Sequence, residues 1–312
     1  MAKHLVTGGA GFIGSHLAEA LVNRGEEVVV LDNLSTGKPE NMATFRDRIT
    51  FVEGSVTDLR TVQRCCDGVE VVYHQAALAS VPRSVADPVA SNEANVTGTL
   101  NVLWAAKEAG VRRVVYAASS SVYGDTEELP KHEGMVPRPL SPYAVSKHVG
   151  ELYCTVFDRL YGLSTIGLRY FNVFGPRQDP QSQYAAVVPL FITRLLRGEA
   201  PLIHGDGEQS RDFTYIRNVV EANLAAARAS APGGRSVNVA CGDRLSVNEL
   251  CRILAELTGS DVPPVHGPAR PGDVRHSQAD IDLARKLLGF EPVVDMRTGL
   301  AETVAWYRAQ KR

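Results

Sequence analysis

The chain has 312 residues, a formal net charge of −2 and 44% hydrophobic residues, so it can fold around a sizeable core as one large or two modest domains. Charges of both signs are dispersed and no apolar run approaches a membrane span, which argues against nucleic-acid and membrane partners and predicts a cytoplasmic protein with a small-molecule site. The five cysteines are odd in number and lack metal-ligand spacing, so we expect free thiols and no metal site.

The N-terminal residues predict a strand, a glycine-rich turn and a helix. A strand at Leu5–Thr7 runs into glycines at positions 8, 11 and 14, and an apolar helical pattern follows. Such a turn lets a pyrophosphate approach the backbone N–H groups at the helix start. The first two glycines are one residue further apart than in the usual dinucleotide fingerprint, so the match is to a variant. The cofactor-binding residues predicted here are Gly8, Gly11, Phe12, Ile13 and Gly14.

The second predicted strand, Val28–Leu31, ends at an acid. The carboxylate of Asp32 would accept hydrogen bonds from the ribose hydroxyls of NAD and would repel the additional phosphate of NADP. We therefore predict NAD as the cofactor. The alternative interpretation is that the glycines form only a tight turn and that Asp32 caps a helix.

Further short β-rich runs alternate with segments long enough for crossover helices. They are 49–52, 69–73, 113–116 and 164–168. This alternation predicts an α/β fold with a Rossmann-type, doubly wound parallel sheet, whose ligands lie at the carboxyl ends of the strands. After about residue 170 the pattern is less regular. We predict an NAD-binding domain at 1–170 and a smaller C-terminal substrate-binding domain at 171–312, with segments that return to the first domain.

Tyr143 and Lys147 lie four positions apart on an apparent helix, so their side chains share one face. An ammonium beside a phenol favours the phenolate and can lower its pKa from about 10 towards the working pH. Tyr143 is therefore a candidate general base. The pair is weak evidence until other motifs support it.

Several motifs together supply that support. They are Thr7–Gly14, Ser119–Gly124, Tyr143 with Lys147, Arg169–Gly175, Ser210–Phe213 and Arg270–Val274. On these motifs the sequence resembles an extended short-chain dehydrogenase/reductase of the nucleotide-sugar epimerase/dehydratase family, from Leu5 to about Phe290.

The resemblance implies a catalytic triad of Ser119, Tyr143 and Lys147. The Ser119 hydroxyl would bond the sugar oxygen that Tyr143 deprotonates, although the run Ser119–Ser121 could also cap a strand end. His74 is expected to be a core histidine rather than a catalyst. Besides the glycine turn, Asp32 and the triad's Tyr143 and Lys147, the resemblance assigns NAD contacts to Asn33, Asp58, Leu59, Ala76, Ala77, Asn95 and Tyr170.

The residues beside Ser119 indicate the reaction. Dehydratases of the family carry an Asp-Glu pair there and decarboxylases carry a Glu, whereas this chain has Ser120 and Ser121. Without an additional acid, an oxidised sugar has no evident route to elimination. The resemblance therefore implies that the hydride returns to the other face, which is epimerisation at carbon 4 of a UDP-hexose.

For the substrate, the resemblance points to the branch that interconverts UDP-N-acetylglucosamine and UDP-N-acetylgalactosamine. Arg211 and Arg270 would bind the diphosphate. A small residue at position 277 leaves room for an acetamido group, whereas enzymes restricted to unsubstituted hexoses have a tyrosine there. Ala79 replaces a glycine of that branch. The substrate-binding residues predicted are Ala79, Ser119, Ser120, Asn172, Gln178, Ala186, Val187, Arg211, Arg270, Asp273 and Ser277.

Several alternatives stay open at this stage. The enzyme could act on UDP-glucose alone, or on UDP-glucuronate, although the latter epimerases usually have Thr at the position of Asn172. Two other classes are a non-catalytic NAD-sensing protein and an oxidoreductase that releases NADH. Retention of Tyr143 and Lys147 argues against the first, and the lack of a second substrate site argues against the second.

Two helical stripes bear on assembly. The first stripe is Val145, Val149, Leu152, Val156 and Leu160, and the second is Leu100, Leu103 and Trp104, both at helical spacing. Such stripes are most often core. In the family that the chain resembles, these two helices usually pair across a two-fold axis, so the resemblance implies a homodimer.

Overall fold

The computed structural model describes residues 2–180, 186–269 and 274–310. The strands of these ranges are Lys3–Thr7 (β1), Glu27–Asp32 (β2), Thr50–Glu53 (β3), Val71–His74 (β4), Arg113–Ser119 (β5), Ser164–Tyr170 (β6), Val173–Phe174 (β7), Leu202–His204 (β8), Ser210–Arg211 (β9), Thr214–Tyr215 (β10), Arg235–Val239 (β11), Leu245–Ser246 (β12) and Val265–Gly267 (β13).

The α-helices of the same ranges vary from one turn to five. They are Phe12–Asn23 (α1), Leu59–Cys66 (α2), Val81–Ala86 (α3), Pro88–Asn92 (α4), Gly98–Glu108 (α5), Pro142–Tyr161 (α6), Val187–Leu196 (α7), Ile216–Arg228 (α8), Val247–Thr258 (α9), Asp282–Leu288 (α10) and Met296–Ala309 (α11). A π-helical turn, Glu93–Thr97, joins α4 to α5, and short 3-10 turns lie at Pro39–Met42, Arg46–Arg48 and Ser120–Tyr123.

Seven strands form one sheet in the order β11-β6-β5-β4-β1-β2-β3, and every neighbouring pair is parallel. Helices α1 and α8 pack together on one face, while α2, α5 and α6 pack on the other. Strands buried on both faces explain the Val-rich runs in the sequence. The predicted Rossmann-type α/β fold is therefore confirmed.

The strand order reverses between β1 and β4, which are neighbours although β2 and β3 separate them in the sequence. In open parallel sheets, ligands bind in the crevice at such a crossover point, outside the carboxyl ends of the strands. The loops after β1, β2, β4 and β5 therefore converge on one crevice.

The seventh strand comes from the second half of the chain. β11 pairs with β6 over five residues, from Arg235 against Ile166 to Val239 against Tyr170. The remaining strands form two-stranded pairs, β7 with β10, β9 with β12 and β8 with β13. The chain thus returns to the sheet after residue 170, and the domain division at that residue stays a prediction.

Helix α6 carries Tyr143 and Lys147, and local sequence fixes where it starts and how closely it packs. Ser141 caps it by accepting a hydrogen bond from the backbone N–H of Ala144 at 3.1 Å, with Pro142 at the first helical position. Gly150 allows α6 to approach β5, because a Cβ at this position would lie 2.2 Å from the Tyr116 hydroxyl. The helix is therefore held against the strand that ends at Ser119.

The cysteines at positions 65, 66, 154, 241 and 251 are all free thiols. Within the described ranges, no group of three or more His, Cys, Asp or Glu residues is arranged to hold a metal ion. Over those ranges, no helix is long and apolar enough to cross a membrane.

Candidate active site

The glycine turn between β1 and α1 is too tight for side chains. A Cβ on Gly14 would lie 2.2 Å from the carbonyl oxygen of Gly8, and one on Gly8 would lie 2.7 Å from the backbone nitrogen of Ala76. Gly8 also has a φ of +68°, which favours glycine. The turn thus brings the first turn of α1, with its outward-pointing backbone N–H groups at Phe12, Ile13 and Gly14, to the crevice.

Asp32 stabilises this turn from the end of β2. Its Oδ2 accepts a hydrogen bond from the backbone N–H of Ala10 at 2.9 Å, and its Oδ1 accepts one from Leu34 at 2.8 Å. Each carboxylate oxygen has a second lone pair for a ribose hydroxyl. Asn33 is exposed and accepts a hydrogen bond from the backbone N–H of Ser35 at 3.1 Å.

Asp58 has a structural role that the sequence did not suggest. It is the N-cap of α2: its Oδ1 accepts from the backbone N–H of Arg60 at 3.1 Å and its Oδ2 accepts from the Thr61 hydroxyl at 2.6 Å. The Thr61 hydrogen bond lowers the pKa of Asp58. Leu59 is the first residue of that helix.

Ala76 and Ala77 follow β4, opposite the glycine turn, and the backbone N–H of Ala76 donates to Thr7 Oγ1 at 3.3 Å. Asn95 lies behind this loop in the π-helical turn. Its Oδ1 accepts from the backbone N–H of Leu78 at 2.8 Å and its Nδ2 donates to Ser146 Oγ at 3.0 Å. Asn95 therefore links the loop after β4 to the helix that carries Lys147.

Tyr170 ends β6 and lines the crevice with its ring. Its buried hydroxyl accepts a hydrogen bond from Asn223 Nδ2 at 2.8 Å and lies 3.2 Å from Gln75 Nε2. These partners fix the ring, and burial raises the pKa of the phenol. Tyr170 is thus a neutral wall of the crevice.

Ser119, Tyr143 and Lys147 come together at the end of β5. The Lys147 ammonium lies 5.9 Å from the centroid of the Tyr143 ring and donates to the carbonyl of Ala117 at 2.8 Å. Ser119 Oγ accepts hydrogen bonds from the backbone N–H and the hydroxyl of Ser121, at 3.2 and 2.9 Å. Ser119 therefore caps the 3-10 turn that follows and faces the cavity at the same time.

Burial dominates the ionisation of this cluster. It raises the pKa of Tyr143, and a hydrogen bond with Ser119 opposes the rise only in part. Burial also lowers the pKa of Lys147 to about 8. The expectation that the pKa of Tyr143 lies below its usual value is thus wrong for these residues by themselves, because desolvation disfavours both charged forms.

A large cavity of about 1030 Å³ opens beside the triad. Ser119 and Tyr143 of the triad line it, and it reaches the segments after β7, β8 and β9. Of the residues predicted to bind substrate, those that line it are Ala79, Ser119, Ser120, Asn172, Ala186, Val187, Arg211 and Ser277.

Arg211 and Ser277 lie on neighbouring segments of the cavity wall. The Ser277 backbone N–H donates to the carbonyl of Ser210 at 3.0 Å, and Arg211 Nη1 donates to the carbonyls of Ser210 and Arg275 at 2.9 and 3.1 Å. The predicted partners Arg270 and Asp273 lie outside the described residues.

Asn172 and Gln178 differ in position. Asn172 has a φ of +32° and its Nδ2 donates to the carbonyl of Asp212 at 3.0 Å, within the cavity wall. Gln178 is not brought into the cavity. It lines a separate cleft of about 330 Å³, its Nε2 donates to the carbonyl of Val173 at 3.0 Å, and its buried Oε1 has no hydrogen-bond partner.

Sequence reasoning missed the apolar wall of the cavity. Apolar residues of this kind also form the ordinary core, so only their position along the cavity identifies them as its wall. They are Tyr123, Phe171, Phe174, Leu202, Ile203 and Phe213.

A buried ion pair beside that wall was also missed. Glu151 lies one helical turn after Lys147 and pairs with Arg169 of β6 at 2.7 and 2.9 Å. Arg169 Nη1 also donates to the hydroxyl of Tyr123 at 2.9 Å. The network joins α6 to the cavity wall. The feature of the sequence that could have indicated it is the charged residue Arg169 within the buried strand β6.

The residues at the crevice fit a dinucleotide. The glycine turn at the N-terminus of α1 has no room for a Cβ at Gly8 or Gly14. A pyrophosphate can therefore approach the backbone N–H groups of the helix start. Asp32 stands at the end of the second strand, where it would meet an adenosine ribose. Fold and turn together define a dinucleotide-binding protein of the Rossmann class.

Comparison with known proteins then gives the family. Residues 4–240 match the model of the NAD dependent epimerase/dehydratase family. The UDP-glucose 4-epimerase of Mycolicibacterium smegmatis is 41% identical over 310 residues, which cover 98% of each chain. The chain belongs to this family, its cofactor is NAD, and the resemblance found in the sequence is confirmed.

Solved structures of 4-epimerases are similar to this chain over nearly its whole length. The UDP-N-acetylglucosamine 4-epimerase of Methanobrevibacter ruminantium, solved with UDP-N-acetylmuramic acid, is 41% identical with a TM-score of 0.95 and covers 99% of each chain. The UDP-glucose 4-epimerase of Thermus thermophilus, solved with NAD, is 38% identical with a TM-score of 0.89 over 98% of this chain and 99% of that one.

His74 supports the site as a neutral core residue. Its Nδ1 lies 2.7 Å from Thr7 Oγ1 and its Nε2 lies 3.0 Å from Thr99 Oγ1. Burial, and to a lesser extent the charge of Lys147, lowers the pKa of His74 to about 3.

We expect the His74→Gln variant to lose stability less steeply in acid than the wild type. Below a pH of about 6.5 the unfolded chain protonates this imidazole, whereas the folded protein does so only near pH 3. The residue therefore lowers the free energy of unfolding as pH falls, by up to about 1.4 kcal/mol per pH unit. Urea unfolding of both proteins between about pH 5 and 7 measures this, and parallel curves would contradict it.

Proposed function

We propose that this NAD-dependent UDP-sugar 4-epimerase interconverts UDP-N-acetylglucosamine and UDP-N-acetylgalactosamine, and that it also accepts UDP-glucose and UDP-galactose. The observation that carries the reaction type is the chemistry of the cavity wall. Among the described residues that line the cavity there is no Asp or Glu. Elimination of water or loss of a carboxylate therefore has no carboxyl group in this wall to serve it, and return of the hydride is the outcome that this wall supports.

The glycine turn and Asp32 would hold NAD, which would supply the hydride acceptor and a positive charge. Tyr143 then removes the proton of the 4-hydroxyl, directly or through Ser119, while carbon 4 loses its hydride. Lys147 stabilises the phenolate. The 4-keto sugar rotates about its diphosphate link and regains the hydride on its opposite face, and Tyr143 returns the proton. The cycle is redox-neutral.

Arg211 is the described cation suited to the part of the substrate that does not react. Its guanidinium fork matches a diphosphate, and its backbone partners already hold one nitrogen in place. Arg270 and Asp273 stay predictions of the same kind, for the diphosphate and the ribose. Asn172, held by the Asp212 carbonyl, is proposed to bond the sugar or a phosphate.

The choice of sugar rests on Ser277. Its side chain is small and lines the cavity together with Ser120 and Ala79. A bulky residue at this position would occupy the space that an acetamido group needs, whereas a serine leaves it free. The competing assignments are a UDP-glucose 4-epimerase without activity on the acetamido sugar and a UDP-glucuronate 4-epimerase.

We expect the wild type, without added NAD, to bring UDP-N-acetylglucosamine to equilibrium with its 4-epimer at a rate similar to or above that with UDP-glucose or UDP-glucuronate. In Ser277→Tyr, kcat/KM for the acetamido sugar should fall at least about 100-fold, because the phenol fills the space of the substituent. Activity on UDP-glucose should change by less than about threefold. Separation of the products by anion exchange measures each rate.

Ser277→Ala is the matched control, since it removes the hydroxyl without adding volume and should keep both activities. Wild-type turnover of UDP-glucose alone would overturn the choice of sugar and leave the role of Tyr143 intact. Preference for UDP-glucuronate would instead support the second competing assignment.

The role of Tyr143 separates an enzyme from an NAD-sensing protein. We expect Tyr143→Phe to reduce kcat by about 10²–10⁴ while the protein still purifies with NAD, because the phenyl ring keeps the shape and loses the base. Tyr153→Phe, on the same helix and outside the cavity wall, is the control and should keep its activity. Equal turnover by Tyr143→Phe and the wild type would contradict this role.

We also propose a homodimer formed through α6 and the helices beside it. Exposed apolar side chains continue along this face, and Leu160 is 71% exposed. Leu103, by contrast, is fully buried in its own chain and cannot take part. The exposed apolar side chains are Val81, Val85, Val89, Trp104, Val145, Leu152, Val156 and Leu160.

Sedimentation at micromolar concentration should show a dimer for the wild type and a monomer for Leu160→Lys, because a charge in an apolar interface loses its hydration. Val293→Lys, an exposed site elsewhere, should stay dimeric. A wild-type monomer would exclude this assembly.

A further inference from the structure

The segment after Phe174 reaches across to the helix of the glycine turn. Arg177 Nη2 pairs with Glu19 Oε2 of α1 at 2.6 Å, and Arg177 Nη1 lies 3.4 Å from Ser15 Oγ. The side chain of His16 lies 3.0 Å from the carbonyl of Pro176. Since a carbonyl only accepts, His16 Nε2 donates this bond.

A second set of contacts joins the same segment to the turn itself. Lys38 Nζ pairs with Asp179 at 3.1 Å. The backbone N–H of Lys38 and the amide of Asn41 both donate to the carbonyl of Ala10, at 2.9 and 2.8 Å. Ala10 is the residue whose N–H donates to Asp32. The glycine turn is therefore held by the loop after β2, and that loop is paired with the segment at 176–179.

The ion pair between Arg177 and Glu19 maintains an unfavourable backbone. Arg177 has a φ of +65°, a left-handed backbone conformation that is unfavourable for a residue other than glycine. The two side chains are only 14% and 27% exposed. Partial burial limits screening by solvent, so this pair is stronger than a surface pair.

Topology determines what these contacts connect. The segment leaves the sheet after β6 and follows β7, whereas α1 follows β1, and the sheet order β6-β5-β4-β1 separates the two. The contacts therefore join the two halves of the sheet across the β1/β4 crevice, where a dinucleotide binds in this class of fold.

We propose that Arg177 and Glu19 are positioning residues that close the two sides of the crevice together and thereby slow the release of NAD. Neither side chain lines the substrate cavity. Their effect is thus expected on the residence time of the cofactor. The inference depends on NAD as the cofactor and is independent of which sugar the enzyme uses.

The test measures NAD release directly. Holoenzyme as purified is freed of unbound NAD on a desalting column and mixed with an NAD-linked alcohol dehydrogenase and ethanol, so that each released NAD is reduced and absorbs as NADH. We expect Glu19→Gln to release NAD roughly tenfold faster than the wild type, which corresponds to the loss of about 1.4 kcal/mol. Arg177→Asn, a residue that tolerates a positive φ, should behave in the same way.

Glu221→Gln is the matched control. Glu221 pairs with Arg24 at the other end of α1 at 3.3 Å, in an exposed contact distant from the turn, and this variant should release NAD within about twofold of the wild type. Arg177→Lys keeps a cation and should rescue part of the retention.

The double variant Glu19→Gln/Arg177→Asn distinguishes a shared contact from two independent effects. It should release NAD no more than about twofold faster than either single variant, because each removes the same contact. Wild-type rates in both single variants, or an equal increase in Glu221→Gln, would overturn the proposal. If Arg177→Asn does not fold, the comparison of Glu19→Gln with Glu221→Gln decides it.

Discussion

The rest of the site depends on the close approach of Gly14 to Gly8, where no Cβ can be accommodated. This approach positions α1 on the sheet, and with it the backbone N–H groups of the first helical turn. It also places Ala10 where Asp32 can hold its N–H, so that the acid at the end of β2 and the turn after β1 form one unit. Both the cofactor site and the contacts of α1 with distant segments follow from that placement.

Burial determines the ionisation of Tyr143 and Lys147, which lie beyond the glycine turn along the crevice. Lys147 and Tyr143 are both pushed towards their neutral forms, since low polarity disfavours either charge alone. A phenolate beside an ammonium is therefore not a resting state that the two residues produce by themselves. A bound nicotinamide would add a positive charge, which favours the phenolate form of a nearby tyrosine. Glu151 and Arg169 stay charged nearby because each is paired in a bidentate contact.

Much of the fold could be predicted from the sequence, because the spacing of hydrophobic residues and the residues that form turns are properties of short stretches of chain. Six of the seven sheet strands, the glycine turn and the Tyr143–Lys147 pair follow from them. Strand β11 could not be assigned, because its pairing with β6 is a long-range contact. Gln178 lies in a separate cleft because the chain turns towards α1 after Gly175, a path that only tertiary contacts determine. The sign of the Tyr143 pKa shift likewise depends on burial, which spacing along a helix does not give.

A redox-neutral reaction also explains why strained backbone can be kept at Arg177. An oxidoreductase that exchanges its cofactor at each turnover is slowed by any contact that delays release, whereas an epimerase that returns its hydride has no need for release. Contacts across the crevice that slow the release of NAD, as we propose for Arg177 and Glu19, would therefore not slow such a reaction. The local strain at Arg177 is offset by the ion pair with Glu19, and the paired loop at Lys38 holds the turn in the same state. The proposed retention of NAD is therefore compatible with carbon-4 epimerisation, because a cycle that returns its hydride never requires the cofactor to leave.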